Sequence, residues 1–188
     1  QKITAASYRQ KLRSAGVLVD PEERKKEILR VADQLAKKVH ARPDWTDDLV
    51  NELVYTLENP VGDVCKFQEE FLNLPKPVLE TVLRKQQKTV PLEGRNGELL
   101  PRFIFWSDGK RKNGKILAEG NERVVDARLT DARFFFEEDK KTPLVERREL
   151  LERVAFLGKL GSMADKVNRL EKLVLWLGEK WKLNADQT

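Results

Sequence analysis

Hydrophobic positions recur along this chain with helical spacing at both ends and with strand-like character in the middle. Asp20-Pro21-Glu22-Glu23 has an N-cap carboxylate, a proline at the first helical position and an acidic first turn, which together predict a helix start. Ile28, Val31, Leu35 and Val39 then fall on one face and carry that helix to about His40. Pro43 interrupts it, and Thr46 caps a second helix whose Leu49, Leu53 and Leu57 form an i, i+4, i+8 stripe. Asn59-Pro60 ends that helix and a loop with Phe67, Phe71 and Leu72 is expected next. Pro75 and Pro77 introduce a short third helix with Val78, Leu79, Val82 and Leu83.

The segments 88–92 and 99–106 read as two strands around Asn96-Gly97, a pair that tolerates positive φ at both centres of a tight hairpin turn. Pro91 and Pro101 lack the N–H that a further ladder would need. From Ile116 on, three helical pieces are predicted. The first runs to about Glu138. The second is capped by Thr142-Pro143, with Leu144, Leu151, Val154 and Ala155 turned inward. The third follows the glycines Gly158 and Gly161 and opens on Ser162-Met163-Ala164-Asp165 as a capping box. Met163, Val167, Leu170, Val174, Leu177 and Trp181 are spaced by four, three, four, three and four, so this last helix is expected to pack on neighbouring helices. The fold class is therefore α+β, mainly α-helical with one small β-hairpin element: a helical region over 1–86, the hairpin over 87–109, and a second helical region over 110–188.

Composition narrows the chemistry. The 188 residues are 36% charged, with 36 Lys+Arg against 31 Asp+Glu, a net charge of +5. That excess is spread thinly, and residues 61–109 carry seven bases and seven acids, so a nucleic-acid partner has to be argued from position. No apolar run reaches the roughly 18 residues of a membrane span, and Gln1-Lys2-Ile3-Thr4 has no signal-peptide layout. One cysteine (Cys65) and one histidine (His40) neither form a disulfide framework nor build a zinc site unaided.

Catalytic signatures are missing: there is no dinucleotide fingerprint and no Walker loop. Leu157-Gly158-Lys159-Leu160-Gly161-Ser162 serves as a helix stop and linker, and Glu137-Glu138-Asp139 as a solvated acidic helix end. Two features stand out. Arg84-Lys85-Gln86-Gln87-Lys88 and Lys110-Arg111-Lys112-Asn113-Gly114-Lys115 flank the hairpin strands, so both should meet at its open end. Seven positive charges there, with no intervening acid, would attract phosphate. The alternative is a solvated loop at a helix end. The second feature is the helix of Val124, Val125, Leu129, Ala132, Phe135 and Phe136, where Asn121 and Arg128 project into the apolar arc. A buried Arg128 needs a partner, and Asp131 is in reach. Such a pair would tie helices together or face a partner surface.

The stretch Gly120-Asn121-Glu122-Arg123-Val124, Ala127-Arg128-Leu129, Asp131-Ala132 and Phe134-Phe135-Phe136-Glu137-Glu138-Asp139 resembles the β subunit of bacterial-type heterotetrameric glycyl-tRNA synthetase. So, in collinear order, do Tyr8 and Leu12 with Val19-Asp20-Pro21-Glu22-Glu23-Arg24-Lys25, Phe71-Leu72-Asn73-Leu74-Pro75, Leu100-Pro101-Arg102-Phe103-Ile104 and Leu160-Gly161-Ser162-Met163-Ala164-Asp165-Lys166. Where that family typically reads His-Gln-Lys-Tyr-Phe, this chain has Gln86-Gln87-Lys88-Thr89-Val90, so only Gln87 and Lys88 carry over. A more usual Asn-Gly is replaced by Trp106-Ser107-Asp108-Gly109.

The resemblance implies an internal piece of a longer subunit in an α2β2 ligase that charges tRNA for glycine. ATP and magnesium would act on the α subunit, and no catalytic residue, cofactor or metal is expected in this segment. Expected partners are the α subunit and the tRNA, with no membrane and no DNA, in the cytoplasm or, in a eukaryote, an organelle. Backbone contacts to RNA are assigned to Lys85, Lys88, Lys110, Arg111, Lys112 and Lys115, and scaffold roles to Asn121, Arg128 and Asp131. The rival expectation is an architectural module that never touches RNA.

Overall fold

The computed structural model describes residues 4–109 and 113–184, which divide into two compact units, Gln1–Phe134 and Phe135–Thr188. The first unit begins with helices α1 (Tyr8–Ala15) and α2 (Pro21–Lys38). As its cap signal predicts, Asp20 accepts the Glu22 amide at 2.9 Å at the head of α2. Strand β1 (Arg42–Pro43) and helix α3 (Asp47–Thr56) follow, the latter capped by Thr46 through the Leu49 amide. The loop expected after Asn59-Pro60 is instead strand β2 (Pro60–Lys66). Its Val61, Val64 and Cys65 do not alternate cleanly with polar residues, so the period-2 signal is weak.

Helix α4 (Lys76–Glu80) runs on into a π-helical turn over Thr81–Gln86. Strands β3 (Val90–Glu93) and β4 (Leu99–Asp108) form the expected hairpin, but its turn differs. Gly94 N–H donates to Glu98 O at 2.8 Å, and Gly97 alone adopts positive φ (81°), so three residues rather than two make the turn. This is the turn-plus-bulge loop, in which only the last position is left-handed.

The sheet is antiparallel in the order β1-β3-β4-β2, larger than the single hairpin expected. Central β4 is buried on both faces, with Phe103 and Ile104 both fully covered. Helices α2 and α3 pack on the Ile104 and Trp106 face, through Ile28, Leu35, Leu49 and Leu53. Gly62 of β2 permits the close approach, since a Cβ there would stand 2.9 Å from Leu35 Cδ1 and 3.2 Å from the Trp106 ring. Phe67 stacks on Phe103 with centroids 6.5 Å apart.

Helix α5 (Gly114–Lys141) reaches from the first unit into the second. In the second unit the helix expected after Thr142-Pro143 is a 3₁₀ segment, Glu146–Arg153, and Ala155 belongs to strand β5 (Ala155–Leu157). β5 pairs with β6 (Gly161–Ser162), so the two glycines serve a second small hairpin. Leu144 is 86% exposed, contrary to its expected inward place. Helix α6 (Met163–Trp181) has the capping box foreseen, Ser162 N–H donating to Asp165 at 2.8 Å. Its apolar stripe is only partly covered: Met163, Val167 and Leu177 are half-buried, while Leu170, Val174 and Trp181 are exposed.

Candidate nucleic-acid interface

The open end of the β3–β4 hairpin is where the two basic clusters were expected to meet. Antiparallel pairing of Val90 with Ile104 does put the start of β3 and the end of β4 at the same end of the sheet. Lys110, Arg111 and Lys112 lie outside the described residues. Lys115, in the first turn of α5, has a side chain 91% exposed and only a 4.0 Å approach from Glu119.

The first cluster is not free of acids in space. Arg84 is largely buried and meets the Asp44 carboxylate, with Glu80 at 3.5 Å on its other side. Burial pushes the Asp44 carboxyl above its ordinary range, and the Arg84 charge opposes that only in part. Lys88 Nζ stands 2.8 Å from Glu52 of α3. Lys85 is exposed and makes no ion pair among the described residues. These groups line a groove of about 460 Å³ whose α3 wall carries Asp48 and Glu52 and whose opposite wall carries Glu80, Arg84, Lys85 and Lys88. Three acids and three bases line that groove, so the residues 84–88 expected to be free of acids meet carboxylates in space. Those acids come from α3, from Asp44 before it and from Glu80 on α4, one turn before Arg84.

The backbone at this place is also specific. Gln87 N–H bonds to Val82 O and Thr89 N–H to Leu83 O, ending the π turn with Lys88 in the left-handed region at φ 54°. Thr89 is buried and its hydroxyl donates to the same Leu83 carbonyl at 2.9 Å, so its polar group is satisfied.

On α5 the inward face differs from the expected one. Val125 and Leu129 are buried, whereas Val124 and Phe135 are exposed. Arg128 and Asp131 are exposed too, and no ion pair joins them among the described residues, so the buried pair is corrected. Asn121 is half-buried and donates to Leu117 O within its own helix at 2.9 Å. The helix is rotated because polar side chains on its inward face have work at the edge of β2. Glu122 accepts the Lys66 amide at 2.9 Å, and Asp126 accepts both the amide and the side-chain amide of Gln68 at 3.2 Å. Arg133 reaches Glu70 at 2.9 Å and lies 4.9 Å over the Phe71 ring. Glu122, Asp126 and Arg133 were missed in the sequence, because their partners lie at the end of β2 and in the segment that follows it, more than 50 positions away.

Cys65 is buried on β2 and its thiol is pushed up to about 12, chiefly by burial and then by the Glu122 and Asp63 charges, which leaves it inert as a nucleophile. His40, by contrast, is exposed in a left-handed turn after α2. In the second unit the acidic run at the end of α5 is neutralised residue by residue: Glu137 by Lys140, Glu138 by Lys141, and Asp139 by Arg147.

A family model described as glycyl-tRNA synthetase beta subunit matches residues 2–188. The glycine–tRNA ligase beta subunit of Desulforamulus reducens is 41% identical over 180 residues, covering 96% of this chain and 26% of that protein. That of Vibrio parahaemolyticus is 41% identical over 164 residues, 87% of this chain and 24% of the relative. The chloroplastic/mitochondrial glycine–tRNA ligase 2 of Arabidopsis thaliana is 40% identical over 182 residues, 97% of this chain and 17% of the relative. The chain thus spans about a quarter or less of the length of these curated relatives.

Proposed function

Because the chain belongs to the glycyl-tRNA synthetase beta subunit family, we propose that it serves a glycine–tRNA ligase as a tRNA-facing scaffold, with the amino-acid chemistry carried out on a partner α subunit. The supporting observation is the basic tract that leads from the end of β4 into α5. It begins beyond the last sheet pairing, Pro60 with Asp108, and ends at Lys115, whose side chain stands almost fully in solvent. An exposed lysine such as Lys115 suits contacts to phosphate, which set the register of an RNA without reading its bases. Lys85 adds to this surface, while Lys88 contributes only when Glu52 releases it. ATP and magnesium belong to the catalytic partner in this reading, and Asn121 keeps the scaffold role through its bond to the Leu117 carbonyl of its own helix.

The test is charge reversal of Lys110, Arg111 and Lys112 together in the assembled ligase. The affinity for tRNA should fall, and the slope of log K against log salt should flatten by about 3. Unchanged affinity and slope would remove this tract from the RNA surface.

A second reading is favoured by one observation. Leu170, Leu173, Val174 and Trp181 expose the apolar face of α6, as expected of an architectural module that docks other protein. If α-subunit assembly is lost on changing these residues while tRNA affinity is kept, the architectural role is the main one.

A further inference from the structure

The described surface carries another basic region, and the fold leaves it unneutralised. Between Asp33 and Asp44 the chain has no acidic residue, and it carries Lys37, Lys38, His40 and Arg42. All four side chains are exposed, and none makes an ion pair among the described residues. This is the reverse of the 84–88 cluster, which looks acid-free in sequence and is largely neutralised in space by Asp44, Glu52 and Glu80.

Local geometry gathers these groups. Helix α2 ends with Ala41 N–H donating to Ala36 O at 3.0 Å and His40 N–H to Lys37 O at 3.2 Å, the paired bonds of a Schellman cap. The chain reverses there, so Lys37 and Lys38 before the cap and Arg42 after it lie around one corner. The position that glycine usually fills is His40, at φ 55°. A side chain kept at a left-handed position points to a use for that side chain.

Tertiary structure adds a fifth base. The register Pro43↔Leu92, Arg42↔Glu93 runs on toward Arg95, so this exposed arginine of the hairpin turn lies on the His40 side of the sheet. Of the acids nearby, Glu93 is engaged by Lys76 Nζ at 2.9 Å and Glu98 by the Asn96 amide of its own turn at 3.0 Å. Asp33, one turn before Lys37 on α2, makes no ion pair with it among the described residues.

We infer that Lys37, Lys38, His40, Arg42 and Arg95 form a second phosphodiester-binding surface, which takes the backbone of the same RNA at a place separate from the β4–α5 tract. This inference rests on the reading of the chain as tRNA-facing. Cations free of competing carboxylates release more counterions on meeting phosphate, so this surface should carry a measurable share of the salt dependence.

The experiment uses the assembled ligase and tRNA for glycine, with affinity measured across a salt series. Lys37→Glu with Lys38→Glu should weaken binding about tenfold or more at low salt and flatten the log–log slope by about 2. Lys37→Gln with Lys38→Gln, which cannot bring in repulsion, should give the same direction with an unchanged melting temperature. If both pairs leave affinity and slope unchanged while reversal of Lys110, Arg111 and Lys112 weakens binding, the second surface is overturned and the tRNA-facing reading stands. If neither region matters, both are overturned. If the lysine pairs disrupt subunit assembly but not RNA affinity, the surface is a protein contact and the inference is overturned.

Discussion

Glu52 of α3 holds Lys88 at 2.8 Å, so a lysine that would otherwise be free for phosphate is engaged by a carboxylate 36 positions earlier in the chain. Both side chains are close to half exposed, and such pairs contribute little to folding, about 0–1 kcal/mol. Their larger effect is on what Lys88 can bind.

Glu52→Gln should therefore leave the melting temperature almost unchanged and raise tRNA affinity by up to about fivefold at low salt, the equivalent of an exposed pair of up to ~1 kcal/mol. The gain should vanish by about 0.5 M salt, where exposed charges are screened. A salt series of binding isotherms reads both effects. An affinity that does not respond at any salt would mean that Lys88 does not face RNA.

Glu122 and Asp126 cover the main-chain donors Lys66 N–H and Gln68 N–H where β2 ends. Glu122→Ala removes an acceptor from a strand-edge amide and should cost about 1–2 kcal/mol, whereas Glu122→Gln keeps a carbonyl acceptor and should cost less than half of that. Denaturant unfolding gives the energies. Hydrogen exchange at Lys66 should speed up in the alanine variant and much less in the glutamine variant.

The Asp44–Arg84 pair predicts a pH dependence with a definite sign. Burial holds the Asp44 carboxyl above its ordinary pKa, so the folded chain binds that proton more tightly than the unfolded chain does. Stability from this group is greatest below the usual aspartate pKa of about 4 and declines as pH rises through the raised folded value. Arg84→Met removes the opposing charge and should destabilise the fold by about 2–3 kcal/mol near pH 7. The deficit relative to the parent should shrink toward about pH 4, where Asp44 accepts its proton. Thermal unfolding at several pH values checks this, and a deficit that stayed constant with pH would show that Arg84 acts by packing alone.

His40 sits where a left-handed backbone favours glycine. His40→Gly should stabilise the fold by about 1 kcal/mol, the usual steric penalty of a side chain at that position. The matching loss should appear in tRNA affinity at moderate salt. A variant more stable and equally good at binding would assign His40 no role on the surface.

Much of the architecture was readable from residues in sequence order. Asp20-Pro21, Thr46 and the Ser162–Asp165 box marked helix starts because an N-cap is a local hydrogen bond, made within three residues. The β3–β4 hairpin was readable for the same reason, though its turn needed positive φ only at Gly97. Strand β2 was not readable, since its pairing partner β4 lies far along the chain, from Lys66 with Arg102 to Pro60 with Asp108. Without β2, the inward polar face of α5 had no visible purpose, and Arg128 was placed in the buried arc with Val125 and Leu129, whereas its side chain is exposed.

The sequence by itself determined the family, the helix caps and the positions of the basic residues, because each of these is a matter of residue identity or of contacts a few residues apart. Tertiary structure decided which of those charges remain free. Residues 84–88 are free of acids in the chain and meet them in the fold, because α3 and Asp44 bring carboxylates against them. Lys37, Lys38, His40 and Arg42 make no ion pair among the described residues, and Glu93, which faces Arg42 across the strands, is held by Lys76. Coulomb interaction depends on distance in space, and distance in space between segments far apart in sequence is set only when the sheet closes.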